Sequence, residues 1–243
     1  MADEVQQVVQ ETAEAATAEK PKRRAARPAA KKASPAEEGP IQQNDTMLFG
    51  KYSFAVKISD PSLRNYINLK PVAYPMSFRR TSQKKFSKAE MSVIERLENS
   101  LMRGGTGGKI GGRVIRTKGR LQGKKLKTIK IIEDAFDSIH RQTGANPIQI
   151  FVRALEYSAP IDDTTRVRYG GIISNVAVDV SASRRMDIAL RNIALAALIG
   201  GFGTKRSVAD TLASELILAS RNDVNSYSIK RKNEIERMAR SAK

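Results

Sequence analysis

Residues 146–201 read NPIQIFVRALEYSAPIDDTTRVRYGGIISNVAVDVSASRRMDIALRNIALAALIGG, and the order of patterns within them decides the fold. Asn146 and Pro147 form a helix-opening pair, a side-chain acceptor followed by a residue with no N–H to leave unsatisfied. Ile148, Phe151, Val152 and Leu155 then recur at helical spacing. Between 164 and 181 the period changes. Two β-branched runs flank Tyr169-Gly170-Gly171, and V-A-V-D-V alternates with period two, which predicts a β-hairpin. From Arg184 to Ile199 the spacing is helical again and apolar on more than one face, with Gly200 and Gly201 as its stop, so this is expected to be the most buried helix. A lone two-stranded ribbon is marginal in water, so one inserted between helices is expected to protrude and dock against something.

Helical signals continue on both sides. Ser87 and Glu90 stand at capping-box spacing before Val93, Ile94, Leu97 and Leu101, which predicts a helix opening at Ser87. A second helix is expected from about Lys125 to Gln142, burying Ile129, Ile132, Phe136 and Ile139 and ending at Gly144. Ser207 and Asp210 open another, with Val208, Leu212 and Leu216 inward, and the last, from about Ser228, carries a sparse stripe of Ile229, Ile235 and Met238. Nearer the N-terminus, residues 48–54 suggest a short strand or extended lead-in, and Asp60-Pro61 a single helical turn. Residues 70–87 have two prolines and no apolar period, so they read as an extended arm.

Composition narrows the chemistry. The 243 residues carry a net charge of +18, with no Cys, no Trp and one His. Zinc fingers, thiol nucleophiles and disulfide scaffolds are excluded, and His140 alone cannot make a His cluster or triad. Residues 1–46 hold seven Lys and Arg against eight Asp and Glu, leaving 36 basic against 17 acidic residues for the rest. The globular part, not the tail, owns the excess, and a single-sign surface of that size fits a polyanionic partner. The tail is poor in apolar residues and reads as disordered, either an RNA-reaching arm or a solubilising leader. Its acidic start resembles no secretory signal, and the longest apolar run, 193–203, falls short of the ~20 residues of a membrane-spanning helix.

The most unusual stretch is RGGTGGKIGGRVIRTKGRLQGKKLKTIK, residues 103–130, with ten Lys or Arg, eight Gly and no acid. It fails as a phosphate-binding P-loop: the positions of the first Walker glycine hold Arg103 and Lys118, and neither Lys109 nor Lys124 precedes Ser or Thr. Glycine allows close backbone approach and spaced cations neutralise phosphates singly, so Arg103, Lys109, Arg113, Arg116, Lys118, Arg120, Lys124, Lys125 and Lys127 are candidate RNA contacts. Arg79, Arg80, Lys84, Lys85 and Lys88 precede the first long helix. Arg184-Arg185, Lys205-Arg206 and Lys230-Arg231-Lys232 stand at helix beginnings, against the helix-dipole preference unless a phosphate answers them. Arg166 and Arg168 share one face of the expected hairpin, and Tyr169 beside Gly170 and Gly171 is placed to stack on an unpaired base. His140 reads as a surface residue capping carbonyls, and Asp162-Asp163 as a turn. No nucleophile and base stand at convincing spacing, and no metal site or cofactor is expected. Two other classes are weighed: an architectural DNA-binding protein, which lacks a recognition helix and any dimer signal, and a metal-dependent RNA-processing enzyme using Asp162, Asp163 and Asp179.

The ordered string NPIQIFVRALEYSAP, DDTTRVRYGG, AVDVSASRRMDIALRNI, SVADTLASELILAS and SYSIKRKNEIERMARS resembles the small-subunit ribosomal protein seven family, in the archaeal type corresponding to eukaryotic protein five. The resemblance covers roughly residues 48–243. It implies a mainly α, six-helix domain with one protruding β-hairpin, and a primary rRNA-binding role in the subunit head. It also implies nucleation of head assembly on the 3′ major domain, a place near the exit-site tRNA and the mRNA exit channel, neighbouring head and platform proteins as partners, and no membrane or homo-oligomer. Gly123-Lys124-Lys125 match the family's G-K-K, Arg184-Arg185 its paired basics after the ribbon, and Arg166, Arg168, Gly170 and Gly171 the ribbon arm and tip. The expected organisation is a disordered tail over 1–46 and one RNA-binding domain over 47–243, in which 47–87 is the arm, 104–123 an inserted basic loop and 164–181 the hairpin. The inserted loop and the tail have no counterpart in the family's common core. The expected location is the cytoplasm, in the ribosome.

Overall fold

The computed structural model describes residues 46–77, 85–107, 109, 114–117 and 119–242. The tail assigned to 1–46 lies, but for Thr46, outside the described residues. Within them the chain runs α1 (Pro61–Arg64), a 3₁₀ turn (Ser87–Glu90), α2 (Val93–Met102), α3 (Lys125–Thr143), α4 (Pro147–Ser158), β1 (Asp162–Tyr169), β2 (Ile172–Asp179), α5 (Ala182–Gly201), α6 (Val208–Ser220) and α7 (Tyr227–Ser241). The fold is mainly helical: seven α-helices are described, six of them long, with one antiparallel hairpin between α4 and α5. None is long and apolar enough to cross a membrane.

Most helix ends follow from the sequence. Asn146 accepts from the Ile148 N–H at 3.0 Å with Pro147 behind it. Ser207 accepts from the Asp210 N–H at 3.0 Å, and its hydroxyl donates to the Asp210 carboxylate at 2.7 Å. Asp60 caps α1 by accepting from the Ser62 N–H at 2.9 Å, and Gly144 closes α3 in the left-handed conformation. One start differs. Ser87 and Glu90 form only the 3₁₀ turn, because Met91 is extended and buried and breaks the run. The helix proper begins at Val93, with no side-chain hydrogen bond from its N-cap Ser92. Asn68 ties the break down instead: its side-chain amide donates to the Glu90 carbonyl at 2.7 Å and its backbone carbonyl accepts from the Val93 N–H at 3.1 Å.

The core lies around α5 and α6. Helix α5 touches α1, α2, α4, α6 and α7, as its many-sided apolar pattern demands, and α6 touches α3, α4, α5 and α7. Phe136 and Phe151 are both fully buried, with ring centroids 6.2 Å apart; fully burying such a side chain contributes roughly 1.5–3 kcal/mol. Gly200 and Gly201 form the last turn of α5, where they bring it close to α6. A Cβ on Gly200 would lie 3.3 Å from the Thr211 side chain, and one on Gly201 3.2 Å from that of Val208.

Three smaller expectations change. Asp162 and Asp163 are not in a turn but open β1, paired with Asp179 and Val178. The hairpin therefore spans 162–179 where alternation alone suggested 164–181. Met238 is exposed on α7; Ala239 takes the buried place, with Ile229 in the core and Ile235 half-buried. Residues 48–54 make only a single bridge between Leu48 and Tyr52, followed by extended chain.

Candidate nucleic-acid interface

The ribbon is built to present two unlike faces. Direct cross-strand partners share a side of an antiparallel pair, so Arg166 with Asn175 and Arg168 with Ile173 lie on one face. Val167, Tyr169, Ile172, Val176 and Val178 lie on the other, all exposed, with Tyr169 at 86%. Arg166 and Arg168 are exposed and have no ion-pair partner among the described residues. Gly170 and Gly171 make the exposed tip, and the base of the ribbon packs on α7.

A second set of cations is turned into the body. Arg185 is 8% exposed. Its guanidinium donates to the Asp60 carboxylate at 3.0 Å, to the Pro160 carbonyl at 3.2 Å and to the Ser62 hydroxyl. Burial pushes the Asp60 carboxyl up, but the Ser62 hydrogen bonds and Arg185 outweigh it and hold the group below the usual carboxylate range. Arg96, 6% exposed, donates to Asp187 at 2.9 Å. Lys125 reaches Glu95 at 2.9 Å, and the same carboxylate accepts from the Ser77 N–H and hydroxyl at 3.1 and 3.0 Å. One turn along α2, Glu98 is fully buried and neither of its oxygens has a hydrogen-bond partner. The Thr128 hydroxyl donates to the Lys125 carbonyl at 2.7 Å. Burial drives the Glu98 carboxyl up to about 7, with Lys125 pulling it back and Glu95 adding to the rise.

The inserted loop has a built neck. The Thr106 N–H donates to the Ile115 carbonyl at 3.1 Å, and the Ile115 N–H to the Thr106 hydroxyl at 3.2 Å. Gly105 has φ +86°, and a Cβ there would stand 2.8 Å from the Ile115 carbonyl oxygen, so no other residue fits without moving backbone. Thr106, Ile115 and Leu121 are buried, while Lys109, Arg116 and Arg120 are exposed.

Elsewhere the expected cations are mostly outward. Lys85, Arg103, Lys124, Lys127, Lys205, Arg206 and Lys230 are exposed with no ion pair among the described residues. Lys232 is half-buried. Lys88 stands 3.8 Å from Asp187, Arg184 3.1 Å from Asp163, and Arg231 pairs with Glu234. Arg79, Arg80, Lys84, Arg113 and Lys118 lie outside the described residues. His140 is exposed at the end of α3, its Nδ1 3.2 Å from the Ala145 carbonyl. Asp162, Asp163 and Asp179 gather into no group of three or more His, Cys, Asp or Glu able to hold a metal among the described residues.

Between α2, the start of the loop and α5 runs a cleft of about 1130 Å³. Lys88, Arg96, Arg103, Lys125, Arg184 and Arg191 line it against two carboxylates, Glu95 and Asp187, both already paired. Two of its side chains escaped the sequence reading, Arg191 and Phe86. Arg191 lies seven residues from Arg184, a spacing that returns to the same helix face. Phe86 is an aromatic within a basic segment, an interleaving that serves nucleic-acid binders. Residues 63–243, about three quarters of the chain, match the family described as Ribosomal protein S7p/S5e.

Proposed function

We propose, from the premise that this chain belongs to the ribosomal protein S7p/S5e family, that it holds the head of the small ribosomal subunit together by gripping rRNA on several sides. Membership makes it a structural, rRNA-binding constituent of the small subunit and of translation, in a family of RNA-binding proteins and not of enzymes. The finer reading is ours. It is of the archaeal type corresponding to eukaryotic protein five, binds the 3′ major domain of the rRNA, nucleates head assembly in the cytoplasm, and lies near the exit-site tRNA and the mRNA exit channel. Residues 47–243 act as the RNA-binding domain and 1–46 as its tail. The contacts come from the exposed cations of the arm, inserted loop, helix beginnings and ribbon, together with Tyr169. Neighbouring head and platform proteins complete the environment.

The observation that carries this reading is the set of exposed cations with no ion-pair partner among the described residues, dispersed over the ribbon, the loop and the turn before α6. Charge left unanswered at several separated places suits embedding in folded RNA better than lying along a duplex with one face. The test is equilibrium binding of head-domain rRNA, an unrelated structured RNA and duplex DNA over a range of salt. Preference for the first is expected, with log K falling by roughly 0.7–0.9 per neutralised phosphate for each unit of log salt. Equal affinity for all three would overturn the assignment.

A further inference from the structure

We propose that the cleft between α2 and α5 receives an unpaired RNA nucleotide, its base stacked on Phe86 and its phosphates among Arg103, Arg184 and Arg191; the proposal rests on the rRNA-binding reading and names a site within it. Phe86 is held with φ 61°, in the left-handed region, and its side chain is 80% exposed. A bulky residue is disfavoured there by sterics, and an aromatic ring left in water forgoes the burial that normally stabilises it. Two unfavourable features at one residue point to a use outside the isolated fold. The exposed ring lines a cleft that also carries apolar Met91, Ile188 and Leu195 and the exposed cations Lys88, Arg103, Arg184 and Arg191.

Ligand chemistry follows from that combination. Arg103 and Arg191 have no acidic partner among the described residues, so the cleft keeps positive charge after its two carboxylates are accounted for. At about 1130 Å³ it is larger than the ~300–1,000 Å³ usual for small-molecule pockets. That room suits a nucleotide with its flanking backbone. Cations beside a free aromatic face are the elements with which proteins hold single-stranded nucleic acid, the ring taking the base and the cations the phosphates. A splayed-out base satisfies the apolar lining and the aromatic ring together, which a duplex backbone cannot do.

The full chain is titrated with fluorescent single-stranded hexa-adenylate RNA and with the same hexamer carrying abasic sugars. Phe86→Ala is expected to weaken hexa-adenylate binding roughly tenfold and to leave the abasic hexamer unchanged. Phe86→Tyr should restore the wild-type value, and Arg191→Gln should weaken both RNAs. Equal effects of Phe86→Ala on both RNAs, or no effect on either, overturns the stacking site. Failure of the underlying reading appears separately, as wild-type protein that does not prefer head-domain rRNA to duplex DNA. Since the Phe86 side chain is exposed, Phe86→Ala is expected to keep the wild-type melting temperature; a lowered one would mean the ring serves the fold and would also overturn the proposal.

Discussion

The ion-paired seam that links α1 to α5, α5 to α2 and α2 to α3, and the ribbon of β1 and β2, use the same residue types for opposite ends. In the seam, Arg96, Arg185 and Lys125 are bound to Asp187, Asp60 and Glu95. On the ribbon, Arg166 and Arg168 answer to nothing in the described chain. A basic residue in this protein is therefore not an RNA contact by virtue of its charge. The seam cations hold elements distant in sequence, while the ribbon cations stay exposed with no acidic partner among the described residues. Even adjacent residues differ in burial, since Arg184 stays exposed while paired with Asp163 and Arg185 is sunk between α1 and the α4–β1 connection.

Removing a seam cation is the strongest way to break that contrast. Arg185→Ala leaves Asp60 part-buried without its counter-ion, and losing one partner of a buried pair costs roughly 3–5 kcal/mol. Because Asp60 is partly solvated, the lower end is expected, read as a drop in the urea midpoint, with the salt dependence of RNA binding unchanged. A steeper loss of that salt dependence than of stability would move Arg185 to the other class.

Glu98 sharpens the contrast through pH. Its folded pKa, about 7, is above the ordinary glutamate value, so between roughly pH 4.5 and 7 the native state holds a proton that the unfolded chain has released. Stability from this group is therefore full at acidic pH and is lost as pH rises through 7, by on the order of 3 kcal/mol. Glu98→Gln should flatten the melting-temperature profile between pH 5 and 8. Asp60 acts in the opposite sense at lower pH, its contribution present above the ordinary carboxylate pKa and lost as pH falls through its depressed folded value. An unaltered profile in Glu98→Gln would show that water or a counter-ion reaches that carboxylate.

Smaller effects belong to the outward set. Deleting residues 105–122 removes five of the loop's cations yet none of the main core, since Ile115 and Leu121 pack outside it. The chain should still fold cooperatively while the log K against log salt slope falls by up to about 3.5. An unchanged slope would make the loop merely solvated. Arg166→Gln with Arg168→Gln should lower the slope by about 1.4 and leave the thermal midpoint where it was. A destabilised double variant would give the ribbon cations a structural task after all.

What the sequence made legible is local. Periodicity and capping placed α3 through α7 and the ribbon to within a few residues, because Asn146, Ser207 and the alternating V-A-V-D-V act on their immediate neighbours. Partnerships across the fold were not legible. Arg185 looked like half of a phosphate-binding pair because its partners, Asp60 and Ser62, lie more than 120 residues away. Lys125 reads as one cation in a basic run until α2 brings Glu95 to it. The helix start misplaced at Ser87 has the same origin, since the residue that fixes the true start, Asn68, belongs to another segment.

The ribbon also bears on solubility. A sheet of only two strands has two open edges, each with N–H and C=O groups unpaired, and this one adds a row of exposed Val and Ile along one side. Such edges are templates for pairing with another chain. An isolated copy is thus expected to self-associate through the ribbon as its concentration rises. Light scattering of the isolated protein against Ile172→Lys would read this: less association is expected in the variant, and equal association would clear the ribbon of that role.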